Sequence, residues 1–346
     1  MYLSNLKVID PPFSIKQNEA LRWIAKAHAL SDPHRDFLRL VERYGCSAEQ
    51  INQRFHFNSE LFSEPTLEGL TANLKPNLQE RMAFYTKIVN ELFEQNYRET
   101  NNPPDGIFHV TCTGYQSPSA AQRLVSKRAW PSQVVHLYHM GCYAALPAVR
   151  LANSILNFEG FKRIDLMHTE LCTLHFQSQN HDPEQLVVQS LFGDGAISYS
   201  LELLPPRIGF KLLWSGERVI PNSLDSMTWG LGPNGFTMSL KREVPKLIKE
   251  NIKAFVNGIP LKKSKILWAV HPGGPKIIET IAHELDLNLE QVGASIDVLK
   301  ERGNMSSATL PHIWEKILKI AMPGDQVVSL AFGPGLTIYG SLMEVL

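Results

Sequence analysis

From residue 107 to its end the chain repeats one local pattern: a short strand rich in β-branched or aromatic residues, a turn, and then a helix. Two of these units share a plan. In "VVHLYHMGC" a strand leads through a glycine to Cys142, and in "KILWAVHPGG" a strand leads to His271 and a glycine turn. The repeated unit predicts an α/β architecture. The likeness of the two units predicts a duplication whose halves bring their strand ends, and with them these two residues, together.

Residues 17–100 instead space their apolar residues at intervals of three and four, as in "LQERMAFYTKIVNELFEQNY", which predicts helices. The cluster "NNPPDG" ends this region. Beyond it the pattern predicts strands at "IFHVTCT", "RIDLMHTEL", "AISYSLELL", "IGFKLLW", "VVSLAF" and "LTIYGSLMEVL", and helices at "SPSAAQRLVSKRAW", "EVPKLIKENIKAFV", "PKIIETIAHEL" and "ATLPHIWEKILKIA". We expect two halves, residues 1–205 with Cys142 and residues 206–346 with His271.

Charge and hydropathy narrow the class of protein. Lys+Arg and Asp+Glu both count 34 among 346 residues, whereas a nucleic-acid-binding protein usually has a basic surplus. No apolar stretch reaches the roughly 18 residues of a membrane span, and the first residues lack the apolar core of a signal peptide. The four cysteines form no CxxC pair, which argues against a zinc knuckle or a disulfide framework. We therefore expect a cytoplasmic protein that binds neither nucleic acid nor membrane.

Three residues are candidates for chemistry, each with a structural alternative. Cys142 precedes an apolar helical run, so it is either a small buried hydrophobe or a nucleophile whose thiolate the helix N-terminus favours. His271 ends a strand beside a tight turn, and Asn304 follows Gly303 at the entry to a helix; either can simply be a loop residue.

Metal and nucleotide sites fit the sequence poorly. His136 and His139 stand near Cys142, but residues three apart on a strand point to opposite faces, so we expect no shared ion. The stretches "FGDG" and "FGPG" lack the spacing of phosphate-cradling or dinucleotide-binding loops. We expect no metal and no organic cofactor.

Five motifs occur in a telling order: "GCYAALPAVRLA", "LFGDGA", "HPGGPKIIE", "GNMSSAT" and "AFGPGLTI". In order and rough spacing they resemble those of type III polyketide synthases, the chalcone synthase-like branch of the thiolase superfamily, which also includes β-ketoacyl synthase III-like condensing enzymes. The stretches "FHVTCTGYQSPS", "HTELCTLHF" and "GFTMSLKREVPKLI" are similar to those of bacterial members, and the match begins near residue 10. The resemblance implies a thiolase-like fold with two similar halves in a layered αβαβα arrangement, and a homodimer.

The resemblance also implies roles for individual residues. Cys142 takes the acyl group, His271 stabilises its thiolate as an imidazolium, and Asn304 together with His271 hydrogen-bonds the carbonyl of the extender as enolate charge develops. Phe192 stands where the family has an aromatic residue that assists decarboxylation and gates the cavity. Further substrate-binding positions are Cys112, Cys172, His175, Val188, Trp229, Met238 and Gly333.

Two departures from the family pattern modify the expected substrates. The places that supply basic residues for coenzyme A phosphates hold Val41, Tyr44 and Ala48, so an acyl carrier protein is a plausible donor beside coenzyme A. Cavity positions that are often small hold larger side chains, which predicts few condensations.

Ser117 replaces a methionine that reaches into the partner subunit in plant relatives.

Three functions stay open. The first is Claisen condensation of an acyl chain on Cys142 with a malonyl or β-ketoacyl thioester, followed by closure to a pyrone or resorcinol. The second is a ketosynthase that joins two carrier-bound β-ketoacyl chains into an α-pyrone without decarboxylation. The third is a non-catalytic acyl-binding partner. A cysteine hydrolase is disfavoured because the flanking motifs belong to condensing enzymes.

Overall fold

A computed structural model of the chain describes residues 1–63, 77–262 and 265–346. Its strands are β1 (Tyr2–Ile9), β2 (Phe13–Lys16), β3 (Gln53–His56), β4 (Gly106–Thr111), β5 (Gln133–Tyr138), β6 (Arg163–Glu170), β7 (Gly195–Glu202), β8 (Phe210–Val219), β9 (Met227–Gly232), β10 (Gly235–Leu240), β11 (Ile266–Val270), β12 (Gln326–Gly333) and β13 (Thr337–Val345). Its helices are α1 (Gln17–Ser31), α2 (Phe37–Tyr44), α3 (Leu78–Asn96), α4 (Ala120–Arg128), α5 (Ala145–Glu159), α6 (Pro183–Leu191), α7 (Val244–Val256), α8 (Pro275–Glu284), α9 (Leu289–Arg302) and α10 (Thr309–Leu318). Short 3₁₀ turns occur at Cys172–His175 and Ser306–Ala308.

Nine strands form one mixed sheet in the order β11-β12-β13-β8-β1-β7-β6-β4-β5. The two sides join through only two residue pairs between β1 and β8. Outward from that joint, β1-β7-β6-β4 and β8-β13-β12-β11 have the same sequence of two antiparallel steps and one parallel step. The sheet therefore has an internal symmetry in which β4 corresponds to β11, and β5 extends one side only.

This symmetry corrects one expectation about the repeated units. His271 follows β11, so its topological counterpart is Cys112, which follows β4. Cys142 follows β5, which has no partner strand on the other side of the sheet. The predicted equivalence of the Cys142 and His271 units is wrong, because units that are similar in local plan occupy different places in the sheet.

Alternating strand residues place helices on both faces of each side of the sheet. On β4, Ile107 packs with α3 and α4, whereas Phe108 packs in a central cluster with α5 and α10. On β11, Ala269 belongs to the same central cluster, whereas Trp268 and Val270 pack with α7 and α8. Each side of the sheet therefore has helices on both faces, and the layers run helix, first side of the sheet, central helices, second side of the sheet, helix. The expected αβαβα arrangement is confirmed.

The N-terminal region differs from the expected all-helical segment. Helices α1, α2 and α3 fall within residues 17–100, but Gln53–His56 is a strand that pairs with Phe13–Lys16, and residues 64–76 lie outside the described residues. Strand β1 is a further addition to the expected elements. A four-residue strand is too short for its alternation to stand out, and β3 is fixed by contacts distant in sequence, including the Gln17 N–H bond to the Asn52 carbonyl (2.9 Å).

In the described part of the chain, no helix combines the length and the hydropathy that a membrane crossing requires.

Because α5 lies in the central layer, a substitution that creates a cavity there should strongly lower the free energy of unfolding. Leu156 is fully buried there, whereas Phe158, two residues on, is 88% exposed. We expect Leu156→Ala to lower the free energy of unfolding by about 2–5 kcal/mol because the site cannot collapse between two sheets. Phe158→Ala on the same helix should change it by no more than about 0.5 kcal/mol. Urea denaturation of both variants measures the difference, and equal losses would contradict the buried central layer.

Candidate active site

The turn between β5 and α5 holds Cys142 in one position. His139 and Gly141 both have positive φ angles, +62° and +95°. A Cβ atom on Gly141 would lie 2.6 Å from Cδ of Pro334, so the turn packs directly against the segment that follows β12. Only glycine combines that backbone angle with that approach. Cys142 then precedes α5 by three residues.

Cys112 fixes the same turn from the end of β4. Its Sγ accepts the N–H of Gly141 (3.0 Å), and its S–H donates to the Gly141 carbonyl (3.2 Å). The Cys112 carbonyl in turn accepts the indole N–H of Trp229 (2.6 Å). The sequence predicts Cys112 as a substrate-binding residue; it does line the cavity, and it also holds the turn that carries Cys142.

Burial controls the protonation of Cys142. It raises the pKa of the thiol to about 12, while the side chains of Ser306 and Asn304 act in the opposite direction. The Oδ1 atom of Asn304 accepts the N–H of Ser306 (2.8 Å). In the described residues its Nδ2 has no partner at ordinary hydrogen-bond geometry. The structure thus brings Cys142 and Asn304 together and leaves a buried amide donor beside them.

Backbone bonds tie Phe192 to Asn304. The N–H of Asn304 donates to the Leu191 carbonyl (3.0 Å), and the N–H of Gly193 donates to the Asn304 carbonyl (3.0 Å). Gly303 makes this possible with a φ of +72°. The backbones of the two residues are therefore paired side by side, and Phe192 lines the same cavity as Cys142.

His271 lies directly after β11 and is 1% exposed. Its N–H donates to the Leu330 carbonyl (2.8 Å) on β12, which fixes the backbone. Burial lowers the pKa of the imidazole to about 3. Within the described ranges neither ring nitrogen has a hydrogen-bond partner, so no hydrogen bond joins the His271 ring to Cys142 or Asn304. Burial therefore favours the neutral form of the ring, and the imidazolium role expected from the sequence stays a prediction.

A narrow cavity of about 60 Å³ opens at Cys142. The predicted residues that line it are Cys112, Cys142, Cys172, His175, Val188, Phe192, Trp229 and Met238. His271, Asn304 and Gly333 are not among the residues that line it. Gly333 packs against the ring of Tyr143, and Pro334 next to it takes that place in the wall.

His175 is a fixed part of the wall. Its ring stacks on Phe236 with centroids 4.2 Å apart. Its Nε2 donates to the Thr113 carbonyl (2.7 Å), and its Nδ1 accepts the N–H of Phe236 (3.2 Å). Because these bonds need one protonated and one free nitrogen, the ring is neutral, and burial lowers its pKa to about 3. His175 therefore shapes the cavity and is not free to exchange a proton.

Several residues of the cavity wall escape prediction from the sequence. They are Arg54, Phe62, Phe176, Gln185, Gln189 and Phe236. Arg54 and Phe236 come from the short strands β3 and β10, whose periodicity does not single them out. The one available signal is an arginine among the aromatic residues of "QRFHF", because a charged side chain inside a protein is rarely left without a partner.

Glu170, at the end of β6, also escapes prediction. Its carboxylate is completely buried and accepts the Cys112 N–H (3.0 Å), the Thr113 hydroxyl (2.8 Å) and a short bond from the Ser307 hydroxyl. Burial raises the pKa of Glu170, and these hydrogen bonds act against that rise. The carboxylate connects the segment after β4 to the segment that carries Asn304, so it fixes the spacing of the site.

Across the described residues, no group of three or more His, Cys, Asp and Glu side chains has the arrangement of a metal site. His136 lies on β5, and Nε2 of His139 donates to the Trp229 carbonyl (2.8 Å). In the described structure neither histidine contacts Cys142 through a hydrogen bond.

Comparison with known proteins gives two family matches that together cover most of the chain. Residues 22–201 match the profile described as "Chalcone and stilbene synthases, N-terminal domain", and residues 211–346 match its C-terminal domain.

Solved structures match over nearly the whole length. The type III polyketide synthase domain of Steely1, a hybrid synthase from Dictyostelium, superposes with a TM-score of 0.86 at 24% identity, covering 99% of this chain and 98% of that one. PKS-I from the brown alga Ectocarpus siliculosus gives 0.85 at 22% identity, with 100% and 99% covered. The 1,3,6,8-tetrahydroxynaphthalene synthase of Streptomyces coelicolor A3(2) gives 0.84 at 21% identity, with 99% of each chain covered. At these identities the structures establish the fold.

The charge state of Cys142 yields a prediction about His271. Burial holds the thiol's pKa near 12, so any thiolate at pH 7 depends on a proton acceptor close by. We expect His271→Ala to slow alkylation of Cys142 by iodoacetamide at pH 7 by about tenfold or more. In this variant the rate should then rise with pH up to pH 10, because the thiolate fraction grows as the pH approaches the raised pKa. Peptide mass spectrometry of the alkylated Cys142 measures the rate.

His312→Ala is the matched control, since His312 is also buried with a pKa lowered to about 4 but bonds to the Ala308 carbonyl beside α10 (2.8 Å). It should alkylate at the wild-type rate. An unchanged rate in His271→Ala would show that this histidine does not act on the thiol.

Proposed function

Since the chain belongs to the chalcone and stilbene synthase family of polyketide-forming acyltransferases, we propose that it accepts an acyl chain on Cys142 and extends it by Claisen condensation. The observation that carries this proposal is the position of Cys142 at the head of an apolar cavity, beside a buried amide donor on Asn304. Thioester transfer needs a thiol that is held still and shielded from water.

In the loading step, the Cys142 sulfur attacks the thioester carbonyl of the donor. The thiol's proton passes to the neutral imidazole of His271, and the donor's pantetheine thiol leaves and takes that proton. Burial disfavours each charge separately, but the thiolate and the imidazolium form together and partly offset one another. Support for this role of His271 comes from its two buried ring nitrogens, which lack partners among the described residues.

In the condensing step, a malonyl thioester loses CO₂ and its C–C bonding pair becomes an enolate. The enolate carbon attacks the acyl group on Cys142, a new C–C bond forms, and the Cys142 thiolate leaves. Nδ2 of Asn304 and the N–H of the His271 ring are the donors proposed for the developing enolate oxygen, and both are buried without a partner in the described residues. Phe192, fixed beside Asn304, would cover the carboxylate that is lost.

The dimensions of the cavity favour a short product. Trp229, Met238 and the stacked pair His175–Phe236 fill the space in which a growing chain would lie, and about 60 Å³ remains open. We propose one or very few condensations, with closure of the product to a pyrone or resorcinol.

The surface of α2 bears on the identity of the donor. Val41 is 1% exposed and packs in the cluster with Trp23 and Phe37, so it faces inward and offers no charge to a phosphate. Tyr44 stacks under the Arg43 guanidinium (5.2 Å). These contacts support an acyl carrier protein as donor beside coenzyme A.

The small cavity and the uncharged positions on α2 also favour a second candidate function. A ketosynthase that joins two carrier-bound β-ketoacyl chains into an α-pyrone would need no decarboxylation and no room for repeated extension. A non-catalytic acyl-binding partner is a third candidate, although it gives no reason for the buried donors near Cys142.

We also propose that the protein acts as a homodimer, without a metal or an organic cofactor.

Intact-protein mass spectrometry tests the proposal. The protein is incubated with acyl-coenzyme A, acyl carrier protein thioesters and β-ketoacyl carrier protein thioesters, and Cys142→Ala is run beside each. We expect one acyl group to add to the wild type and none to the variant, because the Cys142 thiol lies at the head of the cavity.

The outcomes separate the candidates. Growth of the chain with malonyl-coenzyme A supports decarboxylative condensation, and loading from β-ketoacyl carrier protein without malonyl consumption supports the chain-joining reaction. Equal loading of the variant would disprove the assignment of Cys142, and loading of neither would leave the acyl-binding partner.

A further inference from the structure

Arg54 is a buried cation that commits three of its five N–H bonds to the protein. It lies on β3 and is 1% exposed. Its Nε donates to Oε1 of Gln17 (2.9 Å), and its Nη1 donates to the carbonyls of Gln189 (2.7 Å) and Phe192 (2.8 Å). The guanidinium is therefore held in a fixed plane against the backbone of the aromatic residue that lines the Cys142 cavity.

The remaining nitrogen of Arg54, Nη2, has no hydrogen-bond partner in the part of the chain that the structure describes. Among the described residues that line the cavity, it is the one buried side-chain nitrogen or oxygen left without a bond. The ring of Phe62 lies 5.8 Å from the guanidinium carbon, which supplies only a weak attraction. A buried donor without an acceptor is costly, and because Arg54 lines the cavity, a ligand in the cavity is the acceptor from outside the protein that can complete it.

No carboxylate of the described residues forms a direct ion pair with Arg54. Asp194 attracts Arg54 electrostatically, but its oxygens accept the N–H of Phe57 (3.0 Å) and the N–H and hydroxyl of Thr173 (2.8 and 3.0 Å). In the same part of the chain no carboxylate oxygen lies within 4.0 Å of Arg54. The positive charge therefore reaches the cavity wall largely uncompensated.

The fixed bonds of Arg54 decide which acceptor fits. A carboxylate binds arginine best through two nitrogens at once, but Nε and Nη1 are both occupied. Nη2 alone can serve a single oxygen atom. A keto oxygen is such an acceptor, and in a 1,3-dicarbonyl group the cation also favours the enolate form, which carries negative charge on that oxygen.

We propose that Nη2 of Arg54 binds the 3-oxo oxygen of a chain held in the cavity, so that the enzyme prefers 3-oxoacyl over saturated acyl chains. This inference rests on the proposed acylation of Cys142 and names the substrate class of that site. A 3-oxoacyl chain is the product of one condensation and is also the substrate of the chain-joining reaction, so Arg54 acts in either case as a specificity residue.

The test compares two donors in three proteins. Thioesters of N-acetylcysteamine with 3-oxooctanoate and with octanoate avoid any dependence on coenzyme A or carrier protein, and intact mass spectrometry measures the rate at which each acylates Cys142. In the wild type we expect the 3-oxo chain to react about tenfold faster or more, as for a hydrogen bond to a charged donor. In Arg54→Lys that ratio should fall to nearly one.

Arg81→Lys is the matched control. Arg81 is also buried and donates to the carbonyls of Leu174 and Phe176, but it does not line the cavity. Its substitution should keep the wild-type ratio. A ratio unchanged in Arg54→Lys, or a wild type without preference, would overturn the inference while acylation itself still supports the proposed function.

A second measurement needs neither a variant nor acylation. Methyl 3-oxooctanoate and methyl octanoate are compared as protectants of wild-type Cys142 against iodoacetamide. We expect the 3-oxo ester to protect at about tenfold lower concentration. Equal protection would overturn the assignment of Arg54 even if Arg54→Lys fails to fold or neither thioester acylates Cys142, and failure of acylation would count against the proposed function alone.

Discussion

The close packing of three chain segments around Gly141 decides where chemistry can occur. Gly141 lies against Pro334 from the C-terminal side of the sheet and is bonded twice to the thiol of Cys112 from the N-terminal side. Cys142 is the next residue, so the thiol is positioned by both sides at once. The strand joint between the two sides of the sheet is only two residue pairs wide, and this packing adds to the central helices in holding the sides together.

The same close packing sets the electrostatics of the site. A cavity so enclosed keeps water away from a reacting thioester, but it penalises charge on the groups that must react: the pKa of Cys142 rises and that of His271 falls. Chemistry then depends on proton transfer within the site and on donors already in place, since neither group exchanges freely with solvent. That is why the open amide donor of Asn304 matters more than the nominal charge of any residue.

The sequence predicts those features that depend on residues close together in the chain, and it misses those that depend on distant residues. Strands and helices beyond residue 107 carry their own periodicity, and the motifs "GCYAALPAVRLA" and "GNMSSAT" are enough to identify Cys142 and Asn304 as candidates. The short strand with Arg54 and the carboxylate of Glu170 carry no such local signal, because they are fixed by residues distant in the chain: Gln189 for Arg54 and Ser307 for Glu170 are each more than a hundred residues away. Gly333 shows a related limit: its motif fixes the segment but not which of two neighbours, Gly333 or Pro334, lines the cavity.

Two kinds of buried polar group lie near Cys142. Glu170 is surrounded by donors from separate segments, as a structural carboxylate must be if it is to stay inside the protein. His271, Asn304 and Arg54 are equally buried but keep nitrogen atoms without partners among the described residues. Other buried atoms of the described residues, such as Nε1 of Trp268 and Nε2 of His312, also lack partners, so an open donor does not by itself identify a site. Arg54 differs from those residues because it also lines the cavity that holds Cys142, where a carbonyl-bearing ligand can complete its hydrogen bonds.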